Sequence, residues 1–495
     1  MIQQIDYFVI APPLVLALVA GLVVLLDAFL PARPRTKTTL ALVTLAGILV
    51  SLGFVAAQAI RGGPPQSTFC VPPHLAAQQL CSFVVDGFTL VFAGLVLVAA
   101  LVVVLMSMTE LAGGGIPVGE WYFLLLCTLI GAITLPASRD LIMLVVALEL
   151  VSLPVFALTA MKRYDGRSSE AAVKLFVMSV VSTAVMLFGV SLLYGIAGTV
   201  YLSRLAEVLG GQAPAPGWAG PGLPSVVTVG VVLVLAGFAF KIAAVPFHSW
   251  AADVYQGAPI PVAALLSVVS KAAGFAGLIL VLVTGLSGQA ATWAPIVGIL
   301  AALTMTVGNL LAMRQRSAVR LLAWSSVAQS GYVLAPLAVA VTAPGAISAA
   351  TAYLVIYAAM NLGAFAVVLL VSRTAGRNEL DDYRGLAFRS PAAGVALAFC
   401  LVCLAGLPPG LAGLFAKVFV FRELVEGGIG WLAVVMAVNT VIGLYYYIAW
   451  TARLFTPSAP SAHRPLPMTW LAIGLALGVA VLFSVAPQLV LDVTG

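Results

Sequence analysis

The stretch AFKIAAVPFHSWAADVYQGAPIPVAALLSVVSKAAGF, residues 239–275, places two lysines and three prolines within strongly apolar sequence. Proline has no backbone N–H to donate, so Pro246 breaks a helix that begins before Lys241. Lys271 follows Pro261 by ten residues. At a rise of about 1.5 Å per residue it lies ~15 Å deep in an apolar slab about 30 Å thick. The stretch therefore predicts a broken membrane helix, followed by a membrane helix with a lysine near its centre.

The composition extends this prediction to the whole chain. Of the 495 residues, 62% are hydrophobic and only 8% are charged. Soluble proteins carry about 25% charged residues, because their exterior faces water. We therefore expect an all-α polytopic membrane protein with about fourteen transmembrane helices. The apolar segments fall at residues 7–29, 39–59, 88–106, 121–135, 141–160, 171–196, 226–250, 261–283, 293–313, 319–340, 346–371, 391–424, 431–454 and 470–489.

The positions of the 23 lysines and arginines predict the orientation. Alternate connections between the segments carry 15 of them, whereas the opposite connections carry four arginines. Cytoplasmic loops are enriched in Lys and Arg, so we expect a multi-pass protein of the inner cell membrane with both termini outside. The enrichment of Lys and Arg in cytoplasmic loops explains the net charge of +6, so we expect no nucleic-acid partner. The last four, Lys174, Lys241, Lys271 and Lys417, lie within apolar segments.

A second interrupted segment carries Lys417. In LAGLPPGLAGLFAKVF, residues 404–419, Pro408 and Pro409 remove the helical donors for the carbonyls of Leu404 and Ala405. One helix over residues 391–424 would be ~51 Å long, far beyond a bilayer. The two broken helices occupy matching places in segments 4 to 8 and 9 to 13, which predicts two inverted five-helix repeats. The expected regions are residues 1–106, 121–283 (first repeat), 293–454 (second repeat) and 470–489.

Ionisable groups at membrane depth are costly, and they are therefore functional candidates. Glu149 lies eight residues beyond Leu141, ~12 Å deep. Burial favours the neutral form of a lysine, whereas a neighbouring carboxylate favours the charged form. A carboxylate that moves by a few ångström can make a lysine release its proton, so Glu149, Lys241, Lys271 and Lys417 are candidates for proton transfer. The alternative is a set of structural ion pairs that only fix packing.

Other candidates are weaker. Lys174 follows Glu170 by four residues, so local pairing or snorkelling competes with a functional role. His248, after Pro246, is a second candidate for proton relay. The predicted outer side is an oxidising environment, which allows a disulfide between the cysteines at 70 and 81, and two unpaired thiols are the alternative. The chain contains no nucleotide-binding or metal-ligand motif, so we expect it to hold no cofactor.

Residues 246–275, with Phe240 and Lys241 upstream, resemble the core motif of the antiporter-like subunits of respiratory complex I. ELVSLPVFALTA, residues 149–160, is most similar to the motif of subunit N. Further similarity lies in SSEAAVKLF (168–176), SSVAQSGYVL (325–334) and NELDDYRGL (378–386).

The resemblance implies roles for the candidates. Glu149 and Lys241 correspond to the family's carboxylate–lysine pair, Lys271 to its central lysine and Lys417 to its exit lysine. Many relatives have histidine where this chain has Gln329, and glutamine carries no proton charge.

The resemblance also implies the proton-pumping membrane arm of NADH-quinone oxidoreductase. NADH, FMN, iron–sulfur clusters and quinone would belong to partner subunits. The neighbours would be other antiporter-like subunits and small membrane subunits within the lipid bilayer. A subunit of an Mrp-type cation/proton antiporter is the alternative.

Overall fold

The structure is a computed structural model that describes residues 5–31, 33–72, 79–162, 165–213, 224–457 and 466–494. These ranges are mainly helical. Their α-helices are α1 (Ala11–Phe29), α2 (Pro34–Arg61), α3 (Gly87–Ala112), α4 (Val118–Thr134), α5 (Leu141–Ala160), α6 (Gly166–Ala197), α7 (Leu202–Leu209), α8 (Pro224–Lys241), α9 (Trp250–Gly257), α10 (Ile260–Leu265), α11 (Lys271–Ile279), α12 (Ala290–Ala312), α13 (Ala318–Leu334), α14 (Ala346–Ser372), α15 (Leu386–Arg389), α16 (Pro391–Ala405), α17 (Leu411–Glu426), α18 (Gly430–Leu454), α19 (Pro467–Val485) and α20 (Gln488–Thr494).

The helices have the length and composition of membrane spans. In the described part of the chain, 11 helical segments are long and apolar enough to cross a membrane. Two shorter apolar helices, Ser225–Lys241 and Pro391–Ala405, accompany them. The all-α membrane architecture is confirmed, while the count of fourteen stays a prediction. Two spans, Ile260–Gly285 and Ala346–Ser372, are 89% and 94% buried, so they form the centre of the helix bundle.

Both predicted helix breaks are present. The chain leaves α8 after Lys241 and re-enters a helix at Trp250, and it leaves α16 after Ala405 and re-enters at Leu411. At the first break the backbone N–H of Val245 donates to Thr304 Oγ1 at 2.9 Å. Non-helical backbone at membrane depth needs such partners from the protein itself.

Glycine closes the helix at the second break. Gly406 caps the end of α16 with a φ of +83°, in the left-handed region. A residue without a Cβ adopts this conformation at little cost. The break therefore has a local cause in the sequence, next to the proline pair.

Corresponding helices pack in the same way in the two halves. α4 packs against α5, α5 against α6, and α6 against α8 and α9. Likewise α12 packs against α13, α13 against α14, and α14 against α16 and α17. This parallel fits the two predicted repeats, whose boundaries stay predictions.

The span Ile260–Gly285 contains a π-helical turn directly before Lys271. Leu266–Ser270 is π-helical and leads directly into α11, which begins at Lys271. Such turns are frequent at functional sites. The turn therefore lies directly next to a candidate site residue.

A two-stranded sheet covers one end of the bundle. β1 (Gln66–Cys70) pairs antiparallel with β2 (Cys81–Val85), with Cys70 opposite Cys81. A disulfide joins these two cysteines in the structure.

Several of the basic connections meet at the other end of the bundle, which we call the basic face and define by Lys37, Lys162, Arg320 and Arg373. Lys37 Nζ donates to the carbonyl of Leu111 at 3.3 Å. Lys162 and Arg373 both pair with Glu110, at 3.7 and 2.9 Å. Arg320 pairs with Asp253 at 2.8 Å. These contacts agree with the alternation of the predicted segments.

Candidate functional site

The first charged pair lies between α5 and α8. Lys241 Nζ is 3.5 Å from Glu149 Oε1. The same ammonium donates to Ser152 Oγ at 2.7 Å and to Ser179 Oγ at 2.9 Å. The Lys241 side chain is 7% exposed and that of Glu149 is 25% exposed. Lys241 is therefore held by one carboxylate and two hydroxyls, and the carboxylate is the more accessible partner.

The helix break places Lys241 at this point. Because α8 ends at Lys241, the lysine side chain meets α5 and α6 where both present hydroxyls. On α6, Thr183 Oγ1 donates to Glu149 Oε1 at 2.7 Å. The carboxylate thus has two partners, the ammonium and a hydroxyl, and a proton can be shared among them.

A small cavity borders Lys241. Its volume is about 20 Å³, and its polar lining consists of Ser152, Ser179, Lys241 and Ser270. That volume accommodates one water molecule, which needs two to four polar partners. One lining residue, Ser270, directly precedes Lys271 in the chain.

Lys271 lies at the centre of the bundle, only 2% exposed. Its ammonium donates to Ser330 Oγ at 2.7 Å and to the backbone carbonyl of Ser326. Among the described residues, no carboxylate lies within 4.0 Å of Lys271. Tyr357 donates its hydroxyl proton to Ser326 Oγ at 2.8 Å. Neutral hydroxyl and carbonyl groups of α13 therefore hold this lysine.

Gln329 joins three helices beyond Lys271. Tyr353 on α14 donates to Gln329 Oε1 at 2.5 Å, and Gln329 Nε2 donates to the hydroxyl of Tyr447 on α18 at 3.2 Å. The Tyr447 and Ser325 hydroxyls are 2.5 Å apart. The amide both donates and accepts, so it orders a chain of hydroxyls without carrying charge itself.

An asparagine pair extends the hydroxyl chain between α12 and α18. Asn309 Nδ2 donates to the hydroxyl of Tyr332 at 3.3 Å and to Asn439 Oδ1 at 3.2 Å. Tyr446 donates to Asn309 Oδ1 at 3.0 Å. Tyr332 also stacks on Tyr353, with ring centroids 6.0 Å apart. Hydrogen bonds and this ring contact therefore connect Gln329 with Tyr332.

Lys417 lies at the far end of this network. Its ammonium is 5.5 Å from the centroid of the Tyr332 ring. It donates to the carbonyls of Leu404 at 3.2 Å and Ala405 at 2.7 Å. These two carbonyls are the ones that the proline pair was expected to leave without helical donors. Lys417 is therefore held by the broken end of α16 and by an aromatic face.

Two weaker candidates lie apart from this line. Lys174 has a side chain that is 43% exposed, and it pairs with Glu170 at 2.6 Å and with Asp253 at 3.1 Å. The structure thus shows the local pairing that was its alternative explanation. His248 lies within the first break, with its ring 5.4 Å from that of Trp324. Neither contact joins the residue to the buried lysines.

The uncharged members of the site were not predicted from the sequence. They comprise the serines and threonine around the first pair, the tyrosines on α13, α14 and α18, and the two asparagines. A helical spacing signal was present, because Tyr353 and Tyr357 lie four residues apart within an apolar segment and so share one face of α14. Polar atoms at that depth need partners.

The described residues contain no group of three or more His, Cys, Asp and Glu side chains with the geometry of a metal site. Cys400 and Cys403 are buried free thiols on α16. The side chains at the site are carboxylate, amine and hydroxyl groups, which can exchange protons with one another and with water.

Comparison with known proteins agrees with the fold. Residues 138–443 match the family described as NADH:quinone oxidoreductase/Mrp antiporter, TM. NADH-quinone oxidoreductase subunit N 2 of Streptomyces griseus subsp. griseus is 50% identical over 515 residues, which cover 99% of this chain and 93% of that protein.

Two solved structures are also similar. A chain of respiratory complex I from Thermus thermophilus with bound aureothin is 29% identical, with a TM-score of 0.76, over 97% of this chain and 98% of that chain. A chain of the Mrp complex from a Dietzia species has a TM-score of 0.83 at 20% identity, over 99% of this chain and 96% of that chain, which shows a common fold. The chain therefore belongs to the NADH:quinone oxidoreductase/Mrp antiporter transmembrane family, among relatives of NADH-quinone oxidoreductase subunit N.

Proposed function

We propose that this chain moves protons across the membrane as a membrane-arm subunit of NADH-quinone oxidoreductase. Glu149, Lys241, Lys271 and Lys417 carry the protons. The observation that carries the proposal is the set of three buried lysines and one half-buried carboxylate, with hydroxyls around them and a water-sized cavity beside Lys241. Ionisable groups at membrane depth mark ion pathways, since their cost must be offset by function.

The first step is the separation of the Glu149–Lys241 pair. Two unit charges about 4 Å apart attract by about 4 kcal/mol at an effective dielectric near 20. Movement of Glu149 away from Lys241 removes that attraction, and the buried ammonium then favours its neutral form. The proton passes through water towards Lys271. Ser152 and Ser179, already bonded to Lys241, keep the amine in place during the step.

The second step carries a proton from Lys271 to Lys417. Hydroxyls both donate and accept, so the serine and tyrosine groups around Gln329 orient the water that carries it. Lys417 receives the proton beside the Leu404 and Ala405 carbonyls, which stabilise the ammonium. The two halves of the chain thus act in series.

The redox chemistry belongs to partner subunits. NADH oxidation, FMN, iron–sulfur clusters and quinone reduction are assigned to other chains of the complex, and this chain contributes proton movement. Its neighbours would be further antiporter-like subunits and small membrane subunits. The relatives' names support an assignment to such a complex.

The orientation is part of the proposal. The basic face lies in the cytoplasm, and both termini and the Cys70–Cys81 disulfide lie outside the inner cell membrane. After reduction of intact cells, an impermeant thiol reagent should label both cysteines. Protection of both until the membrane is broken would reverse the orientation.

A Mrp-type antiporter subunit is the second candidate, because the Mrp complex shares the fold. A tagged chain purified from its own membrane distinguishes the two. We expect flavin and iron–sulfur absorbance to co-purify, and vesicles of the complex to acidify on addition of NADH and quinone. Sodium-driven proton movement without NADH, in a preparation lacking flavin, would favour the antiporter instead.

A further inference from the structure

Glu423 is a buried carboxylate that the proposed pathway has not used. It is 7% exposed and lies on α17, six residues beyond Lys417 and close to the end of the helix at Glu426. Six residues correspond to about 9 Å along the helix axis. Helical side chains lean towards the N-terminus of their helix, so the Glu423 carboxylate leans back towards the level of Lys417.

Glu423 lacks the cation that usually accompanies a buried carboxylate. Its neighbour Arg422 is exposed and pairs with Glu426 at 2.8 Å. Among the described residues, no basic side chain lies within 4.0 Å of the Glu423 carboxylate. The Glu423 carboxylate therefore has no ion-pair partner among the described residues.

A glycine makes room for this carboxylate at the start of α14. Gly345 is the N-cap of α14, and a Cβ on it would come within 2.6 Å of Glu423 Oε1 and 2.7 Å of Oε2. The φ of Gly345 is −82°, which suits any residue, so space and not backbone conformation explains the glycine. The free N–H groups and positive dipole end of a 27-residue helix stabilise an anion there.

We propose that Glu423 is the group that takes the proton from Lys417 and releases it at the face opposite the basic face. This inference rests on the proposed function. The Lys417 ammonium gives up a proton and becomes the neutral amine, while the Glu423 carboxylate accepts that proton through water and becomes the acid. The acid then loses the proton to bulk water and regains its charge.

The different surroundings of Lys417 and Glu423 explain why one residue stores the proton and the other releases it. Lys417 is held by two carbonyls and is 8% exposed, so it stores a proton but has little contact with bulk water. Glu423 lies within one turn of the end of α17. Release of the proton from Glu423 to bulk water therefore needs no movement of the lysine.

A purely structural role for Glu423 would be to cap α14. The test must separate this role from proton transfer. Glu423→Gln keeps hydrogen-bonding capacity but cannot take up a proton. In vesicles of the purified complex we expect E423Q to lower NADH-driven proton pumping by about tenfold or more. NADH oxidation with a soluble electron acceptor should stay normal, which verifies the redox subunits, and the presence of the variant chain in the purified complex verifies assembly. The matched control is E426Q, on the same helix but exposed and ion-paired, and it should pump normally.

Gly345→Ala provides an independent variant. The added methyl displaces the Glu423 carboxylate while leaving its charge in the chain, so pumping should fall in G345A as well. The double variant G345A/E423Q should pump no worse than E423Q alone, because both changes affect one step. If E423Q does not assemble, the pumping rate of G345A tests the role of Glu423. Normal pumping by G345A overturns that role.

A parallel measurement on K417M separates this inference from the proposed function. Low pumping by K417M together with normal pumping by E423Q would refute the role of Glu423 and leave the function standing. Normal pumping by both assembled variants would contradict the function as well.

Discussion

Each of the two broken helices has a lysine near its break, but Lys241 ends the helix before the first break whereas Lys417 lies in the helix after the second. At the first break Lys241 faces Glu149 at 3.5 Å and bonds to two serine hydroxyls. At the second break Lys417 bonds to the carbonyls of Leu404 and Ala405 and faces the Tyr332 ring. The first site has an accessible anion that can move, whereas the second has fixed dipoles.

This difference separates two tasks that a proton path needs. A movable counter-charge makes Lys241 a switch, because its protonation depends on the position of Glu149. Backbone dipoles cannot move away from Lys417, so they favour its protonated form at all times. Removal of the partner groups should therefore affect the two breaks differently.

The largest expected effect is at the first break. Glu149→Gln removes the counter-charge of Lys241 and should lower NADH-driven pumping by about tenfold or more, with the complex assembled. The double variant with Lys241→Met should be no worse than Lys241→Met alone, since both residues serve one step. Glu170→Gln, whose carboxylate pairs with Lys174 and is 64% exposed, is the control and should pump normally. If the two losses of pumping add up in the double variant, Glu149 and Lys241 do not serve one step.

At the second break we expect a combined loss of pumping and stability. Lys417→Met leaves the Leu404 and Ala405 carbonyls without donors, and each such group costs about 1–3 kcal/mol. The purified complex should melt at a lower temperature than Glu149→Gln and should also pump more slowly. An unchanged melting temperature would show that the carbonyls find other partners and that the contrast between the breaks is wrong.

Gln329 tests the path between the two breaks, with a smaller expected effect. Gln329→Leu leaves the hydroxyls of Tyr353 and Tyr447 without the amide, so pumping should fall. Gln329→His keeps hydrogen bonding and adds a group that titrates near pH 6.5, so pumping should persist with a new dependence between about pH 5 and 8. Full pumping by an assembled Leu variant would remove Gln329 from the path.

The smallest effect should come from the basic face. Burial raises the pKa of Asp253, but hydrogen bonds from Arg320 and Lys174 outweigh it and lower that pKa overall. A lowered pKa stabilises the fold above the unfolded value of about 3.9, and this contribution is lost as the pH falls through the folded value.

The side chain is 38% exposed, so Asp253→Asn should cost at most about 1 kcal/mol at pH 7. Melting temperatures in low and high salt measure the cost, which salt should reduce. Loss of pumping in this variant would place Asp253 in the pathway.

The sequence predicts the charged part of the site because its signals are local. A proline breaks its own helix, and a lysine in an apolar segment is visible without any knowledge of its neighbours. Pro408, Pro409 and Lys417 even identify the two carbonyls that need a donor, and the structure provides it.

The uncharged part depends on tertiary contacts. Tyr447 is distant in sequence from Gln329 and Ser325, and nothing in the apolar pattern of α18 shows that its hydroxyl meets them. The same reason applies to Lys174, whose partner Asp253 lies 79 residues away. Contacts between helices that are distant in sequence determine these roles, and a single sequence does not reveal those contacts.

The central claim is that one line of proton carriers runs through Lys271, where the two halves meet. The most direct measurement is the rate of NADH-driven proton pumping by vesicles of the complex carrying Lys271→Met, compared with Lys174→Met as the exposed control. The account predicts that the Lys271 variant assembles, oxidises NADH with a soluble acceptor at the normal rate and loses most of its pumping, while the control keeps it. Normal pumping by the assembled Lys271 variant would contradict the account.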